Sequence, residues 1–518
     1  MTFIRINEAP EHRRLKSFIK FDLRRAPEAN ADFNKEMKNS STITFIQNNK
    51  IRSIDMEAQK MSPTTTVLNY LRNSLTHKGT KEGCAEGDCG ACTVVLAELD
   101  ENKNLRYTAL DSCLVFLPMI HGKQLITVED LETIDDKQLK LHPVQQCMVD
   151  SNGSQCGYCT PGFIMSLFSL YKNEQTPDQD SISDALTGNL CRCTGYRPII
   201  ESAAKACVHR GKDHFNAGED NIVALLENIK KDKTGIKINL GIQNYSRPID
   251  LHEALRQKTI QPESIIITGA TDVALRVTKK REVLKDILDL GALNEIKYYR
   301  KNKDTIEIGA GLDLETIRVQ TEKDLPALHK MLNVFGSRQI RRLATLGGNI
   351  GSASPIGDTL PVLMAYDANV ILKNISGERS IPLTEFITGY RQTQRNADEI
   401  ITCVRIPIHQ ASHIIASYKV SKRKDLDIST LSVAFRLVLK DSLIAEILIV
   451  YGGMAEKTKQ AKKAEAFLIG KKWCRETIEE AAEVIYNEFT PLNDARSGAE
   501  FRRIAAKNLL IKFWSENK

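Results

Sequence analysis

The chain has 518 residues, 42% hydrophobic and 26% charged, with a net charge of +7 and a mean hydropathy of −0.29. At about 150 residues per domain this is a globular chain of three or four domains, and the composition excludes a disordered or fibrous protein. No run approaches the roughly 18 apolar residues of a membrane span and no long Lys/Arg block is present, so no membrane and no nucleic acid is expected as a partner.

Residues 1–36 mix Arg13, Arg14, Arg24 and Arg25 with Glu8, Glu11, Glu28 and Asp32, without the apolar core of a signal peptide or the acid-poor character of a mitochondrial presequence. They read as a tail of unknown status, with Met37 as an alternative start. A chain without a secretory signal is expected in a reducing compartment, here the cytoplasm, where disulfides are rare. Cysteine usage therefore needs another explanation: nine of the twelve cysteines fall between Cys84 and Cys193.

The folded pattern begins at Thr42. Strand-like runs at 43–47 and 51–55 flank Asn48-Asn49-Lys50 and predict a β-hairpin. Thr64–Thr66 can cap a helix with Val67, Leu68, Leu71 and Leu75 on one face. A glycine-rich loop then carries Cys84, Cys89 and Cys92, a strand is predicted over 93–99, and Cys113 follows, giving C-x4-C-x2-C-x20-C. Four thiolates suit a [2Fe–2S] cluster, and the glycines allow a loop to bend round it and aim N–H groups at sulfur. Zinc and inert core cysteines are the competing readings, although C-x4-C-x2-C is not a zinc-finger spacing. The spacing resembles the plant-type ferredoxin signature.

The second constellation is Gln155-Cys156-Gly157-Tyr158-Cys159-Thr160-Pro161-Gly162, followed by Cys191-Arg192-Cys193. Thr160 suits an N-cap and Pro161 the first helical position, which puts Cys156 and Cys159 at a helix N-terminus whose dipole favours thiolate. Two helix-borne cysteine pairs facing one another can hold a second [2Fe–2S] cluster. A redox-active C-x-x-C and a zinc site remain as alternatives. Cys147, Cys207, Cys403 and Cys474 are assigned to packing or surface roles.

These residues resemble the iron–sulfur part of the molybdenum hydroxylases. The strings 81–92, 155–162 and Cys191-Arg192-Cys193-Thr194-Gly195-Tyr196-Arg197-Pro198 carry the likeness. The resemblance implies that the helical cluster lies nearer a molybdenum cofactor held by another chain, and that Gln155 touches its pterin.

Residues 209–235 are polar and charge-rich and read as a linker. Beyond them strands are predicted at 264–268, 286–290 and 305–309, and glycine-rich stretches stand at 269–272 and 346–351. Gly309-Ala310-Gly311 lacks the third glycine of a Rossmann fingerprint, and no Walker A sequence exists. Two one-electron carriers call for a partner that converts electron pairs to single electrons, which a flavin does.

Gly269-Ala270-Thr271-Asp272 and Leu346-Gly347-Gly348-Asn349-Ile350 resemble the pyrophosphate-side loops of the FAD domain in xanthine dehydrogenases and vanillyl-alcohol-oxidase-like flavoproteins. That resemblance implies an FAD site of Ile265, Ile266, Ile267, Thr268, Gly269, Ala270, Thr271, Asp272, Phe335, Thr345, Gly348, Asn349, Asp358, Ile401 and Lys419. Asp358 is implied to take a ribose hydroxyl, Lys419 to sit near the flavin end, and the Gly348 and Asn349 amides to meet phosphate. The loop 421–427, Ser-Lys-Arg-Lys-Asp-Leu-Asp, is more cationic than its counterpart in animal xanthine dehydrogenases, which leaves the choice of NAD+ or oxygen open.

The expected architecture is multidomain α+β. A β-grasp ferredoxin domain spans 40–125 and an all-helical [2Fe–2S] domain 126–208; a linker covers 209–235. A PCMH/VAO-type FAD-binding domain follows at 236–410, then a C-terminal α+β domain at 411–518 like that of carbon monoxide dehydrogenase flavoproteins. No molybdenum domain is expected within these residues. The implied role is electron transfer in xanthine dehydrogenation, from a molybdenum centre on a large partner subunit in a heterotetramer, through two clusters and FAD, to NAD+. The alternatives are the same role in another molybdenum hydroxylase, acting on aldehydes or N-heterocycles, and a zinc-stabilised interaction protein without redox chemistry.

Overall fold

A computed structural model describes residues 39–74, 77–135, 137–208 and 210–518. The tail at 1–36, Met37 and Leu75 lie outside the described residues. Among those described, no helix is long and apolar enough to cross a membrane.

The hairpin forms between Thr42–Gln47 and Lys50–Asp55, with Asn48 and Asn49 both at positive φ as a two-residue turn requires. Lys50 belongs to the second strand rather than to the turn. These strands extend into a five-stranded sheet in which Thr42–Gln47 pairs parallel with Gln124–Ile126, and Thr93–Leu99 bridges the latter to Leu105–Asp111. Thr66 caps the Val67–Asn73 helix by accepting from Asn69 N–H, and Val67, Leu68 and Leu71 are buried. Sheet plus crossing helix is the β-grasp arrangement.

Four helices follow, Pro143–Asp150, Thr160–Asn173, Gln179–Leu186 and Arg197–Val208, around a core of Phe163, Leu167, Phe168, Ile182 and Ile199. One sequence reading needs correction here. Residues 209–235 are not an extended linker, since Glu219–Lys231 is a helix that buries Ile222, Leu226 and Ile229 against Ile46. Their 3.6-residue spacing was masked by the charged residues on the solvent side.

The next two sheets form an α+β body. The first orders Asn39–Ser40, Gly235–Asn239, Asn244–Arg247, Asp286–Asp289 and Ile265–Ile267. The second orders Tyr299–Lys301, Thr305–Gly309, Ile400–Pro407, Asn369–Asn374 and Gly377–Pro382. One hydrophobic cluster runs without a break from the β-grasp sheet into the first of these, joining Phe45, Leu68 and Phe116 to Ile238, Tyr245 and Ile267. The two modules are therefore packed as one body. The C-terminal sheet, Ile414–Val420, Leu431–Lys440, Leu443–Gly452 and Lys459–Gln460, is covered by Lys462–Leu468, Arg475–Glu488 and Ala499–Glu516.

Candidate functional site

Twelve cysteines are free, and the eight at the two predicted spacings meet in pairs: Cys84 with Cys89, Cys92 with Cys113, Cys159 with Cys191, and Cys156 with Cys193. Among the described residues, no group of three or more Cys, His, Asp or Glu surrounds a single metal ion. Pairs suit two irons with two thiolates each.

The antiparallel register Thr93↔Asp111 explains how a ligand 21 residues downstream reaches the loop, because it places Cys92 and Cys113 at the same end of two neighbouring strands. The Ser112 hydroxyl donates to the Cys92 carbonyl at 2.6 Å and holds that end closed. Cys84 Sγ accepts N–H bonds from Glu86, Asp88 and Cys89 at 3.3–3.4 Å. The neighbouring Cys89 thiol and these amides hold the Cys84 thiol down at about 5 against burial. Cys92 is pushed up by Cys113 beside it and by burial. Asp111 accepts from Cys92 Sγ at 3.8 Å, and burial, then the charge of Cys84, push its carboxyl up.

In the second set Cys159, not Thr160, is the N-cap, and Thr160 is the first helical residue. The Thr160 hydroxyl is engaged with Ser154 at 2.7 Å and caps nothing, which shifts the expected boundary by one residue. Burial, then the Cys191 thiol, push Cys159 up to about 12. Burial opposes ionisation of Cys191 too, but hydrogen bonds from the Thr194 hydroxyl and amide outweigh it. Cys156 and Cys193 are exposed, as are Gln155, Tyr158 and Tyr196.

The two sets are bonded to each other. Leu190 N–H donates to the Cys89 carbonyl at 3.0 Å, and Leu190 is covalently joined to Cys191. The Tyr158 hydroxyl donates to the Glu82 carbonyl. Asn189 Nδ2 donates to Gly90 O at 3.1 Å and Thr93 Oγ1 at 3.2 Å, and Gln339 Nε2 donates to Asn189 Oδ1 at 3.1 Å and Ser166 Oγ at 2.9 Å. Gly90 has φ +67°, and a Cβ there would overlap the Gly188 carbonyl; a Cβ on Gly162 would overlap the Gly90 carbonyl. Only glycines permit this approach. The sequence reading missed Asn189, Leu190 and Gln339, since nothing local distinguishes them.

The flavin-directed residues make several separate contacts. Gly269 lies so close to the Leu343 carbonyl that no Cβ fits between them. Ala270 stands at φ +61°, and the buried Gly269 and Ala270 N–H groups, with that of Thr271, find no acceptor among the described residues. Buried amides need a partner, and consecutive amides about a left-handed residue form an anion nest, so this loop fits a pyrophosphate. The second loop differs from the sequence reading. Gly348 N–H donates to Thr345 Oγ1 at 3.2 Å and Asn349 N–H to Thr345 O at 3.0 Å, so the amides expected on phosphate are engaged in capping their own helix.

Asn349 Oδ1 accepts from the Thr359 hydroxyl at 2.6 Å. Asp358, 4% exposed, forms an ion pair with Lys419 Nζ at 3.0 Å and accepts from Ser429 Oγ at 2.5 Å. Asp358 and Lys419 therefore touch each other, where the resemblance had set them at the ribose and at the flavin end. Lys419 also donates to Val334 O at 2.8 Å, which brings the half-buried Phe335 to the same place, and Ile401 packs beside Gly351. Asp272 pairs with Arg391 at 2.9 Å. Ser429 and Arg391 were not legible as site residues.

Two side chains from neighbouring segments contact the first thiol loop. Lys279 donates to the Cys84 carbonyl at 3.1 Å and pairs with Glu86 at 3.2 Å; Arg423, from the cationic loop, reaches Asp88 at 3.3 Å.

Four family models match successive parts of the chain. Residues 49–117 match the model of the 2Fe-2S iron-sulfur cluster binding domain and residues 127–204 that of the [2Fe-2S] binding domain. Residues 236–409 match the FAD binding domain in molybdopterin dehydrogenase, and 416–517 the CO dehydrogenase flavoprotein C-terminal domain. The chain is similar to a xanthine dehydrogenase of Emericella nidulans, 32% identical over 88% of this chain and 37% of that protein, and to aldehyde oxidase 2 of Macaca fascicularis, 28% identical over 92% and 39%. It thus spans about two fifths of the length of these relatives. Among solved structures, a carbon monoxide dehydrogenase from Hydrogenophaga pseudoflava aligns over 52% of this chain and 94% of its own, with 22% identity and a TM-score of 0.49.

Proposed function

Because the chain belongs to the molybdenum hydroxylase family, we propose that it carries electrons from a molybdenum centre on a large partner subunit to NAD+, in the oxidation of hypoxanthine and xanthine to urate. Bound [2Fe–2S] clusters supply one-electron exchange, and bound FAD converts single electrons to the pairs that a nicotinamide accepts. Cys84, Cys89, Cys92 and Cys113 are the ligands of one cluster; Cys156, Cys159, Cys191 and Cys193 those of the other.

The observation that carries the proposal is the Leu190 N–H bond to the Cys89 carbonyl, which joins the two thiol sets by one hydrogen bond and a short run of covalent bonds. On one side, the exposed Gln155, Cys156, Tyr158 and Cys193 offer a face for a cofactor-bearing partner, with Gln155 as the pterin contact. On the other, Lys279 and Arg423 hold the first thiol loop to the flavin-directed segments with 265–272, Thr345, Asp358, Ile401 and Lys419, where the 269–271 amides receive the FAD pyrophosphate. Lys422, Arg423 and Lys424 place positive charge beside these segments, which suits the phosphates of a dinucleotide acceptor. Two copies of each subunit make the proposed heterotetramer.

The similarity to an aldehyde oxidase supports a second reading, the same electron transfer from an aldehyde-oxidising partner. Purified with its cofactors, the chain should oxidise NADH with a dye as acceptor and leave xanthine untouched. Adding the molybdenum-cofactor subunit from the same cell should produce xanthine-dependent NAD+ reduction. Turnover of aldehydes alone would favour the second reading, and xanthine oxidation by the isolated chain would overturn both.

A further inference from the structure

A cavity of about 150 Å³ lies where the Leu105–Asp111 strand, the Thr160–Asn173 helix and the Arg338–Leu343 helix meet. Each comes from a different matched domain. None of the eight paired thiols and none of the proposed FAD residues lines it.

Its wall carries three arginines, Arg106, Arg338 and Arg342, and no carboxylate. The acids that anchor these arginines stand outside the wall: Glu98 bonds Arg106 at 2.7 Å, Glu174 bonds Arg338 at 2.6 Å, and Asp313 lies 3.5 Å from Arg342. Arg342 is the least satisfied, since its other contact is with Thr316 Oγ1 at 3.3 Å. Burial, opposed by Asp313 and Glu315 and reinforced by Arg106 and Arg338, lowers its proton affinity. Three further atoms on the wall lack partners among the described residues: the donors Arg106 Nε and the hydroxyl of Thr108, a residue 8% exposed, and one acceptor, Gln339 Oε1, which a protonated oxyanion can satisfy. Three guanidiniums round one space repel one another, and buried donors without acceptors are costly. An oxyanion relieves both, and guanidinium geometry matches its oxygens.

We propose that this cavity is a binding site for a small multivalent oxyanion, a phosphate or a polycarboxylate, held by Arg106, Arg338, Arg342 and Thr108. Its volume holds a group of that size, and no lining side chain offers an anion a competing negative charge. Because its walls come from three modules, occupancy ties the two cluster-binding modules and the flavin-binding module together.

The test is calorimetric titration of the full chain, cofactors bound, with inorganic phosphate and separately with citrate, in chloride at constant ionic strength. One saturable site for either anion is expected, and which of the two binds tells a phosphate source from a carboxylate one. Arg342→Gln and Arg106→Gln should each weaken it by about tenfold or more, the loss of one charge-assisted bond. Thr108→Val should weaken it less, and Arg475→Gln, an exposed side chain in the C-terminal domain, not at all. If Arg342→Gln fails to fold, Arg106→Gln and Thr108→Val carry the test. Absence of saturable binding by both anions, or affinity unchanged in both arginine variants, would overturn the proposal.

Discussion

The two thiol sets solve one coordination problem in opposite surroundings. In the first, Cys92 and Cys113 are 2% and 1% exposed and Cys84 and Cys89 are half-buried, with Lys279 bonded to the loop. In the second, Cys156 and Cys193 are exposed at a helix N-terminus. The difference teaches how the chain divides its work: an enclosed set has its surroundings fixed by its own fold, while an open set leaves a face for something else to cover.

The largest effect is expected at the closest approach between the sets. Gly90→Ala places a Cβ against Gly188 O in a left-handed conformation, and Gly162→Ala places one against Gly90 O. Each should cost about 3 kcal/mol or more, read as a drop in denaturant midpoint with loss of the first set's iron. Normal stability in both variants would mean the sets are not packed as described.

Acid should act selectively on the first region. His121 lies at the edge of the β-grasp sheet, where its Nδ1 accepts from Thr44 N–H at 3.0 Å, and burial with Arg247 nearby holds its pKa at about 4. The unfolded value is 6.5, so the unfolded state takes up the proton first as pH falls. Stability is complete above pH 6.5 and lost on the way down to about 4, by about 2 kcal/mol between pH 7 and 5. Unfolding curves at those two pH values should show this loss, and His121→Asn should reduce it by that amount.

Exposure sets the third expectation. A chelator should strip iron from the second set at least about tenfold faster than from the first, followed by the decay of two spectroscopic signals. Equal rates would remove the contrast between the regions. The smallest effect is electrostatic. Lys279→Gln removes a half-exposed cation from the Cys84 carbonyl, and should lower the potential of the first cluster by about 10–40 mV, the equivalent of a surface ion pair of 0.2–1 kcal/mol, with no change in the second.

Both thiol sets were readable from the sequence because their ligands sit on short local loops, and even the distant Cys113 returns through a single hairpin. The flavin-directed loops were readable by resemblance, but the use of their amides was not. Thr345 follows no rule that distinguishes a cap from a phosphate ligand, and only the fold reveals that its hydroxyl occupies Gly348 N–H. The junction was invisible for a different reason. Gln339 and Asn189 are 150 residues apart, and each is an ordinary polar residue until the modules meet. The helix Glu219–Lys231 looks like a linker in sequence because its charges outnumber the three residues it buries.

On this account eight cysteines form two separate two-iron sites joined through Leu190 and Cys89. The most direct measurement is metal analysis with EPR of the reduced chain, its Cys89→Ser variant and its Cys159→Ser variant. Four irons per chain and two signals are expected, with Cys89→Ser altering only the first and Cys159→Ser only the second. Stoichiometric zinc without iron, or loss of both signals from either variant while the chain stays folded, would contradict it.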